Sequence, residues 1–415
     1  MSELSVEAIF FILGWIIFIG YFGELISKKY NIPSALFLLL LGLILKFTNY
    51  IDPTPLIGIQ PLFGSLALIL IMFDGSLSMN IYNVIFKSGK SFMMSIIITI
   101  LSIISSIVLL HYVFGFDIII GAIVGALAGG IGSTTTISII SGLSVPRKII
   151  DFLTLESSIT DVFSIILTLI LTTALVSGVI DIQKIGAGVL STFSIGAFLG
   201  LIIGLIFITV LHKIKSEYGY MVTFGVILFL YALSGIFGGS GAISILVFGI
   251  LLGNEKEVKR IFRLKGDGTR TQIKKFQAEI SFFVRTFFFV YLGFVVALGG
   301  IQNFLIALSL IVAFSAVRYI SVYWVTRKSE FFEYKNLLTA VNPRGLATAV
   351  LATYPLDQLR IYITQNGTTQ YYSKVLSEAG ALPEIAFYFI LLSIITTTVL
   401  VPFIMNSSKQ RRIKP

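Results

Sequence analysis

The chain has 415 residues, 56% of them hydrophobic and 12% charged, with a net charge of +10; an ordinary soluble domain carries about 25% charged residues. That balance excludes a soluble globular fold, and the absence of cysteine excludes disulfides, thiol chemistry and cysteine-ligated metals. Apolar runs of about 20 residues call for an all-α polytopic membrane protein and not a β-barrel.

Apolar runs separated by polar breaks predict 13 spans, at about 6–26, 33–48, 57–79, 91–113, 118–142, 154–177, 187–211, 219–237, 240–253, 279–299, 303–325, 335–355 and 384–405. Glu3 and Glu7 precede the first run without a basic segment, so it reads as a retained helix and not a cleaved signal. His111 and His212 fall near predicted helix ends and read as interfacial polar residues. The stretch 254–275 is expected to be a solvated linker. The stretch 356–383, with Asn366-Gly367 as a turn signal, is expected to be a polar surface loop. No soluble domain is expected, so residues 1–415 are expected to form one transmembrane domain.

Basic residues are distributed unevenly. One set of alternate loops, including Lys28, Lys29, Arg147, Lys148 and the Lys256–Lys275 cluster, holds 23 of the 30 lysines and arginines. The opposite set holds four: Lys46, Lys184, Arg360 and Lys374. Positive residues stay cytoplasmic, which places the N-terminus outside and the C-terminus inside the cell membrane. The basic excess is therefore a topology signal, and a nucleic-acid partner is rejected.

Thirteen spans divide as six, one linker and six, the pattern of two inverted repeats. The fifth span carries Gly129-Gly130-Ile131-Gly132-Ser133-Thr134-Thr135-Thr136, and the twelfth carries Asn342-Pro343-Arg344-Gly345. Either segment alone is compatible with close helix packing. At corresponding places in two repeats they predict discontinuous helices 5 and 12 around a midplane ion site, whose freed carbonyls and N–H groups need partners.

Among the charged residues inside spans, six stand out as candidates: Asp74, Glu156, Asp161, Arg285, Arg318 and Arg344. A one-to-one pairing of the three acids with the three arginines would leave none to carry cargo. On a helix, however, Ser157 and Thr160 share a face with Asp161, a hard-oxygen setting suited to a proton or a small cation. Glu156 sits about 140° further round and needs a separate partner, an arginine. Asp74 either lines the ion path or pairs with an arginine. A lone carboxylate at this depth is neutralised by a proton or by a monovalent cation, which makes one-for-one exchange the natural outcome. A gated channel would need a selectivity filter, and an intramembrane enzyme a nucleophile or metal motif; neither is visible.

At these residues the chain resembles the monovalent cation/proton antiporter superfamily, most closely the NhaP-like sodium/proton exchangers. Four segments carry the resemblance: Glu156-Ser157-Ser158-Ile159-Thr160-Asp161; Gly238-Gly239-Ser240-Gly241 running on to Gly253-Asn254; Phe283-Val284-Arg285 to Gly293; and Asn342-Pro343-Arg344-Gly345. The resemblance implies that Asp161 binds the cation and the proton, with Ser157, Thr160, Thr134 and Thr135 supplying oxygens. It implies a structural Glu156–Arg318 ion pair, and support of the broken helices by Arg344 and Arg285. It further implies a core bundle (about 91–177 and 303–405), a scaffold (about 1–79 and 187–299) and a homodimer. Na⁺ or Li⁺ is the first-choice cargo and K⁺ the alternative, because Gly132-Ser133-Thr134 replaces the family's Thr-Asp-Pro and Thr160 replaces its asparagine. Cation and proton are cargo, so no cofactor is expected.

Overall fold

The computed structural model describes residues 6–30, 32–48, 54–78, 89–140, 145–177, 182–211, 219–262, 270–296 and 300–413. His212 and the middle of the expected linker, 263–269, lie outside them. Among the described residues every regular element is helical. The helices are α1 (Val6–Tyr30), α2 (Ser34–Phe47), α3 (Thr54–Ser78), α4 (Gly89–Ile107), α5 (Ile118–Ala128), α6 (Ser133–Ile140), α7 (Arg147–Ser177), α8 (Ile182–Leu211), α9 (Gly219–Ile236), α10 (Gly241–Gly253), α11 (Glu255–Phe262), α12 (Arg270–Val295), α13 (Ile301–Thr326), α14 (Lys335–Ala340), α15 (Leu346–Asn366) and α16 (Gln370–Ile413). Among the described residues, six helical stretches are long and apolar enough to cross a membrane, and six further apolar stretches are 10–17 residues long. Exposed Trp15, Phe22, Phe198, Phe229, Trp324 and Phe403 are the kind of surface that only lipid solvates at low cost.

The chain forms two compact units. The first comprises Met1–Pro61, Lys90–Thr172 and Thr286–Pro415. Its apolar centre gathers Met94 and Ile98 of α4, Ile139 of α6, Phe152 and Leu153 of α7, Val322 of α13, Leu338 of α14 and Val401 of α16. Short α5 begins at a built cap: Asp117 Oδ1 accepts from Ile119 N at 2.8 Å, and Asp117 N donates to Glu378 Oε2 at 2.8 Å. The second unit comprises Leu62–Gly89 and Thr173–Arg285. There α8 and α10 approach so closely that a Cβ on Gly200 would stand 2.3 Å from Ser244 O. Rings from three helices, Phe73, Phe248 and Phe207, fill its interior.

Two expected loops are corrected. Most of 356–383 is helix: α15 runs on to Asn366 and α16 starts at Gln370, so only a short turn remains, at Gly367 with φ +81°. Leu356 and Leu359, then Val375, Ala379 and Leu382, are buried at helical spacing, so polar composition concealed amphipathic helices. The start of the expected linker is likewise α11, which buries Val258 and a Glu255–Lys259 ion pair of 2.6 Å. The same pair explains the helix, since i,i+4 glutamate–lysine contacts favour it.

Candidate ion-binding site

Two interrupted helices meet in the first unit. Between α5 and α6 the chain leaves helix geometry at 129–132, and between α14 and α15 at 341–345. Each break exposes backbone groups that the bilayer interior cannot hydrate, and each break serves the other. Gly132 N donates to Pro343 O at 2.9 Å. The buried Arg344 guanidinium donates to Gly130 O and, at 3.1 Å, to Asn342 Oδ1. Arg344 thus brings positive charge to the carbonyl end of α5, where the helix dipole is negative. Phe314 and Phe389 pack edge to face, 5.5 Å apart, and the guanidinium lies beside the pair, 5.8 and 5.4 Å from their centroids. Thr348 Oγ1 ties α15 back to Leu127 O of α5 at 2.9 Å.

Glycine is required at the crossing because two backbones touch. A Cβ on Gly132 would lie 2.6 Å from Gly345 N and 2.7 Å from Gly345 Cα. Backbone cannot yield as a side chain does, so Gly132→Ala is expected to cost about 1–3 kcal/mol by overpacking. It should also displace α6, with a lower melting temperature and slower exchange measured on the same preparation.

Helix α7 passes beside the first break. A Cβ on Gly130 would stand 2.6 Å from Thr160 Cβ, so this glycine lets α7 lie against the interruption. Half-buried Asp161, one residue on, accepts from Ser133 N at 3.2 Å. Ser133 is the first residue of α6, so the positive end of that helix faces the carboxylate. Ser157 and Thr160 are fully buried. Ser157 Oγ donates to Thr154 O at 2.9 Å, and Thr160 Oγ1 to Glu156 O at 3.0 Å, which leaves their oxygen lone pairs as acceptors. Thr135 Oγ1 donates to Gly132 O at 2.9 Å. Thr134 lies on α6, with its side chain outside the described set.

Glu156 turns to Arg318 of α13. Their contacts are bidentate, 2.7 Å from Nη1 to Oε1 and 3.3 Å from Nη2 to Oε2, with both side chains fully buried. Arg318 Nε also donates to Leu338 O at 2.8 Å, satisfying a carbonyl near the end of α14. Asp74, half-buried on α3, and Arg285 on α12 belong to the second unit. Sequence reasoning overlooked the Ser133 amide, the Phe314–Phe389 pair beside Arg344, and the α16 hydroxyls Ser393 and Thr397. Ser393 Oγ accepts from Arg344 N at 2.9 Å and Thr397 Oγ1 from Asn342 N at 3.3 Å. The recurrence of Ser393 and Thr397 at i,i+4 in an apolar helix was the available signal.

The family model described as sodium/hydrogen exchanger, transmembrane, matches residues 14–406. The chain belongs to that family. The family is one of transporters, and this exchanger-family chain is a multi-pass membrane protein. It is 29% identical over 321 residues to "Probable Na(+)/H(+) antiporter 2" of Methanocaldococcus jannaschii, covering 70% of the chain and 72% of that relative. It is 25% identical over 270 residues to "K(+)/H(+) antiporter NhaP2" of Shewanella sp. strain ANA-3, covering 61% of the chain but only 45% of that longer relative. The solved structure of the sodium proton antiporter MjNhaP1 from Methanocaldococcus jannaschii superposes with a TM-score of 0.77 over 95% of this exchanger-family chain and 100% of the other, at 23% identity. That likeness establishes the fold.

Proposed function

We propose that the chain is a secondary transporter that exchanges a monovalent cation, Na⁺ or Li⁺ first, for H⁺ by alternating access, one for one and without net charge movement. The observation that carries this reading is Asp161, a half-buried carboxylate at the junction of two broken helices, held toward the break by the Ser133 amide. The second carboxylate of α7, Glu156, is engaged by Arg318, so of the two it is Asp161 that faces the break and receives the cargo. A single carboxylate holds one positive charge, as a proton or as a cation coordinated also by nearby hydroxyl and carbonyl oxygens. One turn of the cycle then moves one charge each way. Ser157, Thr160, Thr134 and Thr135 are proposed oxygen donors, and Asp74 a proposed lining residue of the path. The N-terminus is proposed to lie outside, the C-terminus in the cytoplasm, and the working unit to be a homodimer.

K⁺ is the second reading, favoured by the missing acid at Gly132-Ser133-Thr134 and by the similarity to the NhaP2 proteins. Purified protein in liposomes with an internal pH dye separates the cases. Addition of Na⁺ or Li⁺ should move protons in the opposite direction, unaffected by a clamped membrane potential. Greater movement with K⁺ alone would transfer the assignment to K⁺, and cation flux without proton movement would indicate a channel. Because both cargoes compete for Asp161, the apparent affinity for the cation should fall as the pH is lowered.

A further inference from the structure

Helices α13, α14 and α16 border a partly open cavity of about 300 Å³. Hydroxyl- and amide-bearing residues, among them Ser315, Asn336, Thr339, Asn342, Ser393 and Thr396, line it together with Ile311, Ala340, Leu400 and Ile404; most of the lining surface is carbon, and no charged side chain lines it among the described residues. Thr339 Oγ1 is buried beside it without a hydrogen-bond partner. The rim is apolar and faces outward: Tyr319 is 51% and Leu400 41% exposed. Val312, Trp324 and Phe403, on the same helices, are exposed as well, the surface that a membrane chain turns to lipid.

We propose that this cavity binds the uncharged, hydroxyl-bearing headgroup of a membrane glycolipid, with its acyl chains lying over Leu400. An ionic headgroup would lose its hydration with no counter-charge in the wall to offset that cost. A sugar can lay its C–H faces on the carbon lining and exchange water hydrogen bonds for those of Ser315, Asn336 and Thr396. The volume lies at the small end of ligand pockets, which run from about 300 to 1,000 Å³, and suits a single hexose. Occupancy reaches the ion site through the wall itself, because Ser393 and Thr397 also hold the backbone of Arg344 and Asn342 at the break.

The test uses the full chain in phosphatidylcholine nanodiscs, with monoglucosyl diacylglycerol, phosphatidylglycerol or free glucose added. Glucolipid alone should raise the melting temperature, by about 3–5 °C at saturating lipid. The rise should vanish in Ser315→Leu and in Thr396→Leu, which fill the cavity from different helices, so one serves if the other fails to fold. No rise in the wild type, an equal rise in both variants, or an equal rise with phosphatidylglycerol would overturn the proposal. A rise with free glucose alone would overturn the lipid as the source.

Discussion

Asp161→Asn is expected to abolish coupled exchange and to leave a folded, monodisperse protein. Asparagine keeps the size of aspartate, and its Oδ1 still accepts from the Ser133 amide, so the contact at 3.2 Å and the crossing beneath it persist. It carries no charge and takes no proton in the working pH range. A dehydrated cation then finds only neutral oxygens, too little to offset its lost hydration. In liposomes the proton movement on adding Na⁺, Li⁺ or K⁺ should fall to the leak of protein-free vesicles, while the melting temperature stays close to wild type. Transport at the wild-type rate would place the cargo on another residue.

Glu156→Gln and Arg318→Ala act on stability first. Both partners are fully buried, so each variant strands a charge. With Glu156→Gln the buried Arg318 guanidinium faces a neutral amide in place of a carboxylate. With Arg318→Ala the Glu156 carboxylate loses its guanidinium, and the Leu338 carbonyl loses the donor that served it. Breaking one side of such a pair costs about 3–5 kcal/mol. Lower yield and a melting temperature several degrees down should result for each. The double variant Glu156→Gln with Arg318→Met should be far more stable than the sum of the two losses implies, since no charge is then left unpaired. Single variants as stable as wild type would show that the contact contributes nothing net.

The misread stretches show where composition misleads. Residues 356–383 are polar enough to pass for a loop, yet Leu356, Leu359, Val375, Ala379 and Leu382 form buried helical faces. Polar composition reports contact with water, whereas helix formation here depends on one narrow apolar stripe finding a partner. The two interruptions were legible because their cause is local: clustered glycines in one helix, and Asn342-Pro343-Arg344-Gly345 in the other, disfavour helix wherever they stand. Composition likewise sufficed for the membrane class, because the hydropathy of a run of about 20 residues requires no knowledge of its neighbours.

Glu156 and Asp161, five residues apart on one helix, have different fates that no local property of α7 assigns. Glu156 meets an arginine 162 residues away, and Asp161 meets a backbone amide, a donor that every residue but proline possesses. The amino-acid order alone determined the helical membrane class, the two break points and the charged residues that fall within apolar spans. Tertiary packing decided which charges are consumed in holding the helices together and which carboxylate is turned toward the break. Those outcomes depend on distances between segments far apart in the chain, and such distances are set only when the helices pack.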